Sequence, residues 1–427
     1  MARYVPPHKR NGPAADSITS PQASSATRPQ QPSDPRKPLV IPRDFFHAHL
    51  HTLSPLLQDL EALKAEFESD SNVERMFASN RAHSAAITIK PSEVSARPPN
   101  TAETNVPSSH FANQFKGAMD EVDAQSGGKL RDGGVKVFLD LGCAPGGFSK
   151  WVLEQNPEAR GMGVTLPPEV GGLPMIMEGV LQDETRYGCI YRDVTDRPAE
   201  ISYAHPADSK ERAAADCSPP QCDLVIAGSI YRDEHTADPS RTGPPPVRQR
   251  ARQTLLFSQL LAALRNLQPG GTLVVVSNMK PHLHNLEILC FLKEVFGSLV
   301  PVKPKQVHTI RSSFYLVALD FNLDAANARK AFSRLEANLE TIARADDEMG
   351  VEHVLLLDGT EDDIVARYGE FVINFYEPLW QSQLLAIQRK LAGLRRNQRS
   401  GGGSAGGDRG WGDRSGGRGG RSNQGRW

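Results

Sequence analysis

The hydrophobic pattern changes period several times along this chain. Between residues 108 and 322, short apolar runs alternate with helical segments. "KVFLDL" precedes "GGFSKWVLEQ", "CDLVIAG" precedes "RQTLLFSQLLAALRNL", and "GTLVVVS" precedes "NLEILCFLKEVF". "GMGVTL", "GCIYRDV" and "SFYLVALDF" are further strand-like runs. Strands alternating with helices predict a mostly parallel sheet covered on both faces. Pro269-Gly270-Gly271 predicts a helix stop ahead of the next strand.

Outside that block the period differs. Residues 43–80 place Leu53, Leu56, Leu57, Leu60 and Leu63 at helical spacing, an amphipathic helix that must dock on something. From 323 to 396 the pattern is helical, apart from a short strand-like "VLLLD". These helices are expected to pack on the α/β domain. Residues 1–42 are rich in Pro, Ser, Ala and Arg and bury too little to offset chain ordering, so they read as disordered. Residues 81–107 read as a linker, and 397–427 as a disordered Gly/Arg-rich tail.

Composition narrows the class. The 427 residues leave ample apolar content for a sizeable core, and a formal net charge of −1 says nothing about partners. The five cysteines, Cys143, Cys189, Cys217, Cys222 and Cys290, form no CxxC pair, which suits a reducing, intracellular setting. No apolar run approaches the ~18 residues of a membrane helix, and the polar start "MARYVPPHKR" has no signal-peptide core. The expected location is cytoplasmic or nuclear, with no membrane contact. His47 and His51 of "HAHLHT" share a helix face, but no third ligand accompanies them. The segment reads as a surface cluster, and no metal is expected.

The chemistry concentrates in "VFLDLGCAPGGFSKWVLEQ", residues 137–155. A strand ends near Asp140, a turn poor in side-chain bulk follows, and a helix then offers free N–H groups at its start. The turn lacks the Gly-Lys-Ser/Thr of a P-loop and the spacing of GxGxxG. The string "DLGCAPGGFSKWV" resembles the S-adenosylmethionine loop of the FtsJ-like ribose 2′-O-methyltransferases. "GMGVTL", "RDVTDRP", "LVIAGS", "PGGTLVVV" and "KPKQVHTIRSSFYLVALDF" are similar to later segments of that family, so the resemblance covers roughly 108–322. It implies a Rossmann-like α/β methyltransferase fold: a mostly parallel seven-stranded sheet, helices on both faces, here with extra helices at both ends and disordered tails. It also implies that Gly142, Ala144, Pro145, Gly146 and Gly147 surround the methionine part of S-adenosyl-L-methionine, with Phe148 closing over it. Asp140 would anchor the loop or the methionine amine, and Asp193 would accept from the adenine amine. Where many relatives carry a ribose-binding acid, this chain has Thr165, whose hydroxyl forms no charge-assisted bond.

The family's Lys-Asp-Lys-Glu catalytic set carries over only in part. Lys116 fits the first Lys, but the remaining positions fall on Gly228, Val276 and Ser313. Substitute bases nearby are Lys280, four residues past Val276, and His235, which follows the fourth strand beside Asp233 and Glu234. The loop "TADPSRTGPPPVRQRAR" reads as a lid, an RNA-contacting rim or an insertion. At the ends, "RYVPPHKRN" resembles a segment of DEAD-box translation helicases, which also end in Gly/Arg tails with Trp. Arg409, Arg414, Arg418, Arg421 and Arg426, with Trp411 and Trp427, suit single-stranded RNA. RNA is therefore the expected partner, through both cleft and tail, with translation or mRNA-processing factors implied by the second resemblance. The reading is an RNA methyltransferase with divergent catalytic residues. Two alternatives stay open: an inactive RNA-binding adaptor that keeps the fold, and a methyltransferase acting on protein or a small molecule.

Overall fold

The computed structural model describes residues 50–52, 54–70, 73, 106–176, 185–203, 222–230, 245–281, 283–305, 307–322, 325–344, 356–358 and 361–401. Within these, one seven-stranded sheet runs through β1 (Val137–Leu141), β2 (Arg160–Thr165), β3 (Tyr187–Tyr191), β4 (Cys222–Ala227), β5 (Leu267–Asn278), β6 (Phe296–Val302) and β7 (Ser313–Phe321). The spatial order is β3-β2-β1-β4-β5-β7-β6. Pairs from β3 through β5 are parallel, and β7 runs antiparallel to both β5 and β6. The order reverses between β1 and β4, so the switch point where open α/β sheets bind ligands lies at their carboxyl ends.

Successive strand residues face opposite sides of the sheet, and each side buries its own core. Phe138, Leu224, Ile226, Val274, Tyr315 and Val317 pack on one side against helices α2 (Val106–Gln125) and α3 (Gly147–Gln155). Leu139, Leu141, Val225, Val275, Phe314 and Leu316 pack on the other. There they meet α1 (Pro55–Ser69), α4 (Pro245–Asn266), α5 (Leu283–Val295), α6 (Ala325–Arg344) and α7 (Glu361–Gly401). This is an open Rossmann-like α/β sheet covered on both faces, with added helices at both ends. Among the described residues, no helix is long and apolar enough to cross a membrane.

The added helices form for local reasons and then dock. Ser54 caps α1 by accepting a 3.3 Å bond from the Leu57 N–H, and Pro55 opens the helix where its missing N–H costs nothing. Leu57, Leu60 and Phe67 then fall on one stripe and are buried. Each such side chain contributes roughly 1.5–3 kcal/mol. α7 buries Val372, Phe375, Tyr376, Leu379, Trp380, Ile387 and Leu391 at helical spacing. Its Trp380 Nε1 donates to the Met279 carbonyl (3.2 Å), and its Gln383 Nε2 donates to the Ile310 carbonyl (2.8 Å). α7 thereby grips the chain leaving β5 and the chain entering β7.

Several expectations need correction. Phe296, read as the end of a helix, opens β6, a strand that the apolar pattern did not mark because "FGSLVPV" is only partly buried. α4 stops at Asn266, whose Oδ1 accepts from Tyr203 N (2.7 Å) and whose Nδ2 donates to Ile201 O (2.8 Å). Pro269-Gly270-Gly271 consequently lies within β5 and does not separate helix from strand. The described part of "VLLLD", residues 356–358, is bend and not strand. α7 continues to Gly401, past the boundary placed at 396 and into the expected tail. His47, His49, His235 and the remainder of the tail lie outside the described residues.

Candidate active site

The glycine-rich turn sits at the switch point. β1 ends at Leu141, whose carbonyl accepts from the N–H groups of Gly228 (2.9 Å) and Ser229 (3.0 Å) just past β4. Gly142 has φ +89°, and a Cβ there would lie 2.6 Å from Ser229 N and 2.7 Å from Ser229 Cα. Only glycine fits on both counts. Gln259 on α4 fixes the facing segment by accepting from Ser229 N (2.9 Å) and donating to Ser229 O (3.1 Å). Ala144–Pro145 is a cis peptide, and Gly146, at φ +106°, is the N-cap of α3. The Pro145 carbonyl accepts from Ile176 N (2.9 Å), which draws the segment after β2 against the turn.

Asp140 lies fully buried beneath this turn. Ser149 Oγ donates to its Oδ2 at 2.6 Å and stands 3.0 Å from the Tyr187 hydroxyl. Oδ1 has no partner among the described residues. Burial pushes the carboxyl up from its ordinary 3.8 to about 7, against the opposing pull of the Ser149 bond. Ser149 and Tyr187 belong to this buried network and were not among the residues expected from the sequence. Ser149 was within reach, being two residues past the glycine pair in "GGFS". Tyr187 is brought in only by the pairing of β3 with β2.

The turn thus gathers Asp140, Gly142, Ala144, Pro145, Gly146 and Gly147 at one place. Thr165 ends the adjacent β2 and is buried. Asp193, two residues past β3, is exposed and accepts from both the N–H and the hydroxyl of Thr195 (each 2.8 Å). The Phe148 ring is buried, 5.2 Å from Phe115 and 5.8 Å from Tyr315 between ring centroids. These residues fit S-adenosyl-L-methionine. A buried carboxylate oxygen beneath the turn lacks a donor among the described residues.

The acceptor side is different. Val276 lies directly across from Tyr315 on β7 and packs in the core containing Phe148. Gly228 has room for a Cβ, with its nearest neighbour, Phe148 Cε2, at 3.4 Å. Ser313 opens β7 and is half-buried. Lys116 forms an ion pair with Glu154 near the end of α3. Lys280 is exposed beyond β5, its N–H bonded to Asn278 Oδ1 (2.8 Å), and its charge is felt by Lys64 of α1. α1 packs on the opposite side of the sheet from Val276, so Lys280 and Lys116 are not brought together. The structure adds His308, half-buried, its ring centroid 6.2 Å from that of Tyr315. Burial, then Arg311 and Lys303, push it down to about 4, so its imidazole is neutral at pH 7.

Residues 119–321 match the model of the FtsJ-like methyltransferase family. No curated protein matches the chain. Among solved structures, a Plasmodium falciparum protein described as a ribosomal RNA methyltransferase is 15% identical, with a TM-score of 0.31, covering 49% of this chain and 96% of its own. N-methyltransferase NodS of Bradyrhizobium japonicum, in complex with S-adenosyl-L-homocysteine, is 14% identical, TM-score 0.27, covering 48% and 86%. The Thermus thermophilus 16S rRNA N2 G1207 methyltransferase, in complex with S-adenosylmethionine and guanosine, is 18% identical, TM-score 0.27, covering 48% and 42%.

Proposed function

We propose that the FtsJ-like methyltransferase domain at 119–321 binds S-adenosyl-L-methionine in the Gly142–Gly147 turn and methylates RNA at a ribose 2′-hydroxyl. The observation that carries this reading is the orphaned Asp140 Oδ1, fully buried under a turn where Gly142 tolerates no side chain. A buried acceptor without a donor is costly, and an ammonium or amine presented at the turn would satisfy it. When bound, the cofactor supplies a methyl group on a sulfonium as the electrophile. The protein's share is positioning and proton removal. Thr165 and Asp193 offer polar groups along the ends of β2 and β3. On the acceptor side, the neutral His308 takes the role of proton acceptor, in preference to Lys280 and His235, because it stands over Tyr315 opposite Val276. General-base help is worth about 10²–10⁴-fold.

Two observations favour the second reading, an RNA-binding adaptor. Val276 is sealed against Tyr315, and Lys116 is engaged with Glu154. One experiment separates the readings. The purified chain is incubated with methyl-labelled S-adenosylmethionine and total cellular RNA, and label is counted in RNA and in protein. Alkali-resistant labelled dinucleotides identify a ribose 2′-O product. Label in base, or in protein, rejects the ribose assignment. Cofactor binding without any transfer leaves the adaptor.

A further inference from the structure

The buried stripe of α1 is interrupted by a charge. Lys64 lies four residues after Leu60 and three before Phe67, on the face that packs into the core. Packing alone would call for leucine there. Burial, and next the charge of Lys280, push its ammonium below the ordinary lysine range, while Glu61 and Glu68 oppose. A second lysine stands close by. Lys303, just past β6, is only 9% exposed, and its Nζ donates to the carbonyls of Arg311 and Ser313, the latter at 2.8 Å. Burial, and then Lys64, bring it down to about 7. Among the described residues, none of Lys64, Lys280 and Lys303 forms an ion pair with a carboxylate.

The fold holds these groups together through named bonds. Met279 N donates to Ser312 O (2.9 Å), tying the exit of β5 to the entry of β7. Trp380 and Gln383 of α7 clamp the same two segments. α1 shares its core with α7, and Glu66 pairs with Arg395. Met279 is bonded to Ser312 and the Ser313 carbonyl holds Lys303, so the cluster sits where β5 leaves the sheet and β7 enters it, at the carboxyl end of β5. Crowded, partly buried cations are unfavourable by themselves, and Glu61 and Glu68 offset this only in part at Lys64. A phosphate offers one negative charge and several acceptor oxygens, and lysines bind it as point charges.

We propose that Lys64, Lys280, Lys303 and Arg311 form a site for the phosphodiester backbone of the RNA acceptor. This rests on the methyl-transfer reading above and names how that site holds its substrate. The test uses the full chain with a fluorescent single-stranded oligoribonucleotide, across a series of salt concentrations. Lys64→Leu should raise Tm, by removing buried repulsion. It should also weaken RNA binding about tenfold, the loss of one charge-assisted bond, and reduce the salt slope by about 0.7. Lys280→Gln, at an exposed position, should weaken binding in the same direction with Tm unchanged.

A rise in Tm with unaltered affinity and slope in Lys64→Leu would overturn the site and leave only a strained lysine. Lysine-dependent binding of pyrophosphate without binding of the oligoribonucleotide would assign the cluster to free phosphate and overturn the RNA assignment. Lysine-dependent displacement by an acidic peptide would overturn it as well. Calorimetry with S-adenosylhomocysteine on the same proteins separates the two failures. Retained cofactor binding with no lysine effect sinks this site alone. Absence of cofactor binding in the unaltered chain sinks the methyl-transfer reading.

Discussion

Ser149 Oγ donates a 2.6 Å hydrogen bond to Oδ2 of Asp140, and both groups are completely buried beneath the glycine turn. Ser149 stabilises the carboxylate through this bond and through its backbone N–H. Ser149→Ala should destabilise the fold by roughly 1.5–3 kcal/mol, the usual range for a hydrogen bond to a charged group. Its pH dependence follows from the raised carboxyl. Folded Asp140 holds its proton up to about 7, whereas the unfolded group releases it near 3.8. The folded state therefore binds more protons between those values, and stability falls as pH rises from about 4 to about 7. Asp140→Asn should flatten that slope and weaken S-adenosylhomocysteine binding. Urea titrations at several pH values check the first, and calorimetry the second. An unchanged pH profile in Asp140→Asn would show that another group carries it.

Gly142 and Gly228, just past β1 and β4 at the switch point, should respond oppositely to substitution. Gly142→Ala combines a φ of +89° with a collision against the Ser229 backbone. It should lose cofactor binding and several kcal/mol of stability, in the range of a strained backbone plus overpacking. Gly228→Asp restores the family's acid where the nearest neighbour of a Cβ is 3.4 Å away. It should fold with Tm nearly unaltered. Thermal melts of the two variants side by side decide the matter, and equal losses would count against this geometry of the turn.

Cys189 should be the fastest-reacting thiol among Cys143, Cys189, Cys222 and Cys290. A hydrogen bond with Cys143, their sulfurs 3.8 Å apart, pulls Cys189 below the ordinary thiol value, and it is half-buried. The same contact, together with burial, pushes Cys143 up, and burial raises Cys222 and Cys290. Iodoacetamide labelling at pH 8, followed by peptide mass spectrometry over time, should find Cys189 first. Saturating S-adenosylhomocysteine should slow it, because Cys143 belongs to the cofactor turn. Prior labelling of Cys222 or Cys290 would contradict this order.

Lys303 gives a proton-linked signature of phosphate binding. With its ammonium near 7, pushed there by burial and Lys64 and flanked by His308 and Arg311, much of it is neutral at pH 8. A bound phosphate favours the charged form, so oligoribonucleotide binding at pH 8 should take up protons. Calorimetry in buffers of different ionisation enthalpy measures the uptake directly. Without ligand the sign runs the other way for folding. The folded lysine binds fewer protons than the unfolded one between about 7 and 10.5, so its contribution to stability rises with pH there. A binding enthalpy independent of buffer would argue against Lys303 as a phosphate ligand.

By itself the sequence determined the alternating strands and helices and the glycine-rich turn after the first strand. Both rest on local information: short apolar runs, helical stripes, and the Gly/Ala/Pro string after Asp140. β6 was not legible, because a half-buried edge strand at the sheet's margin carries a weak alternation. The pairing of Tyr187 with Ser149 spans 38 residues and depends on β3 lying beside β2. Lys64, Lys280 and Lys303 come from α1 and from the exits of β5 and β6, and only the docking of α1 and α7 makes them neighbours. His308 meets Tyr315 opposite Val276 because β7 returns antiparallel to β5. Local propensity fixes what each segment becomes. Which charges share a site, and which hydroxyl reaches a buried carboxylate, is fixed by packing between segments distant in the chain, and no periodicity within either segment encodes it.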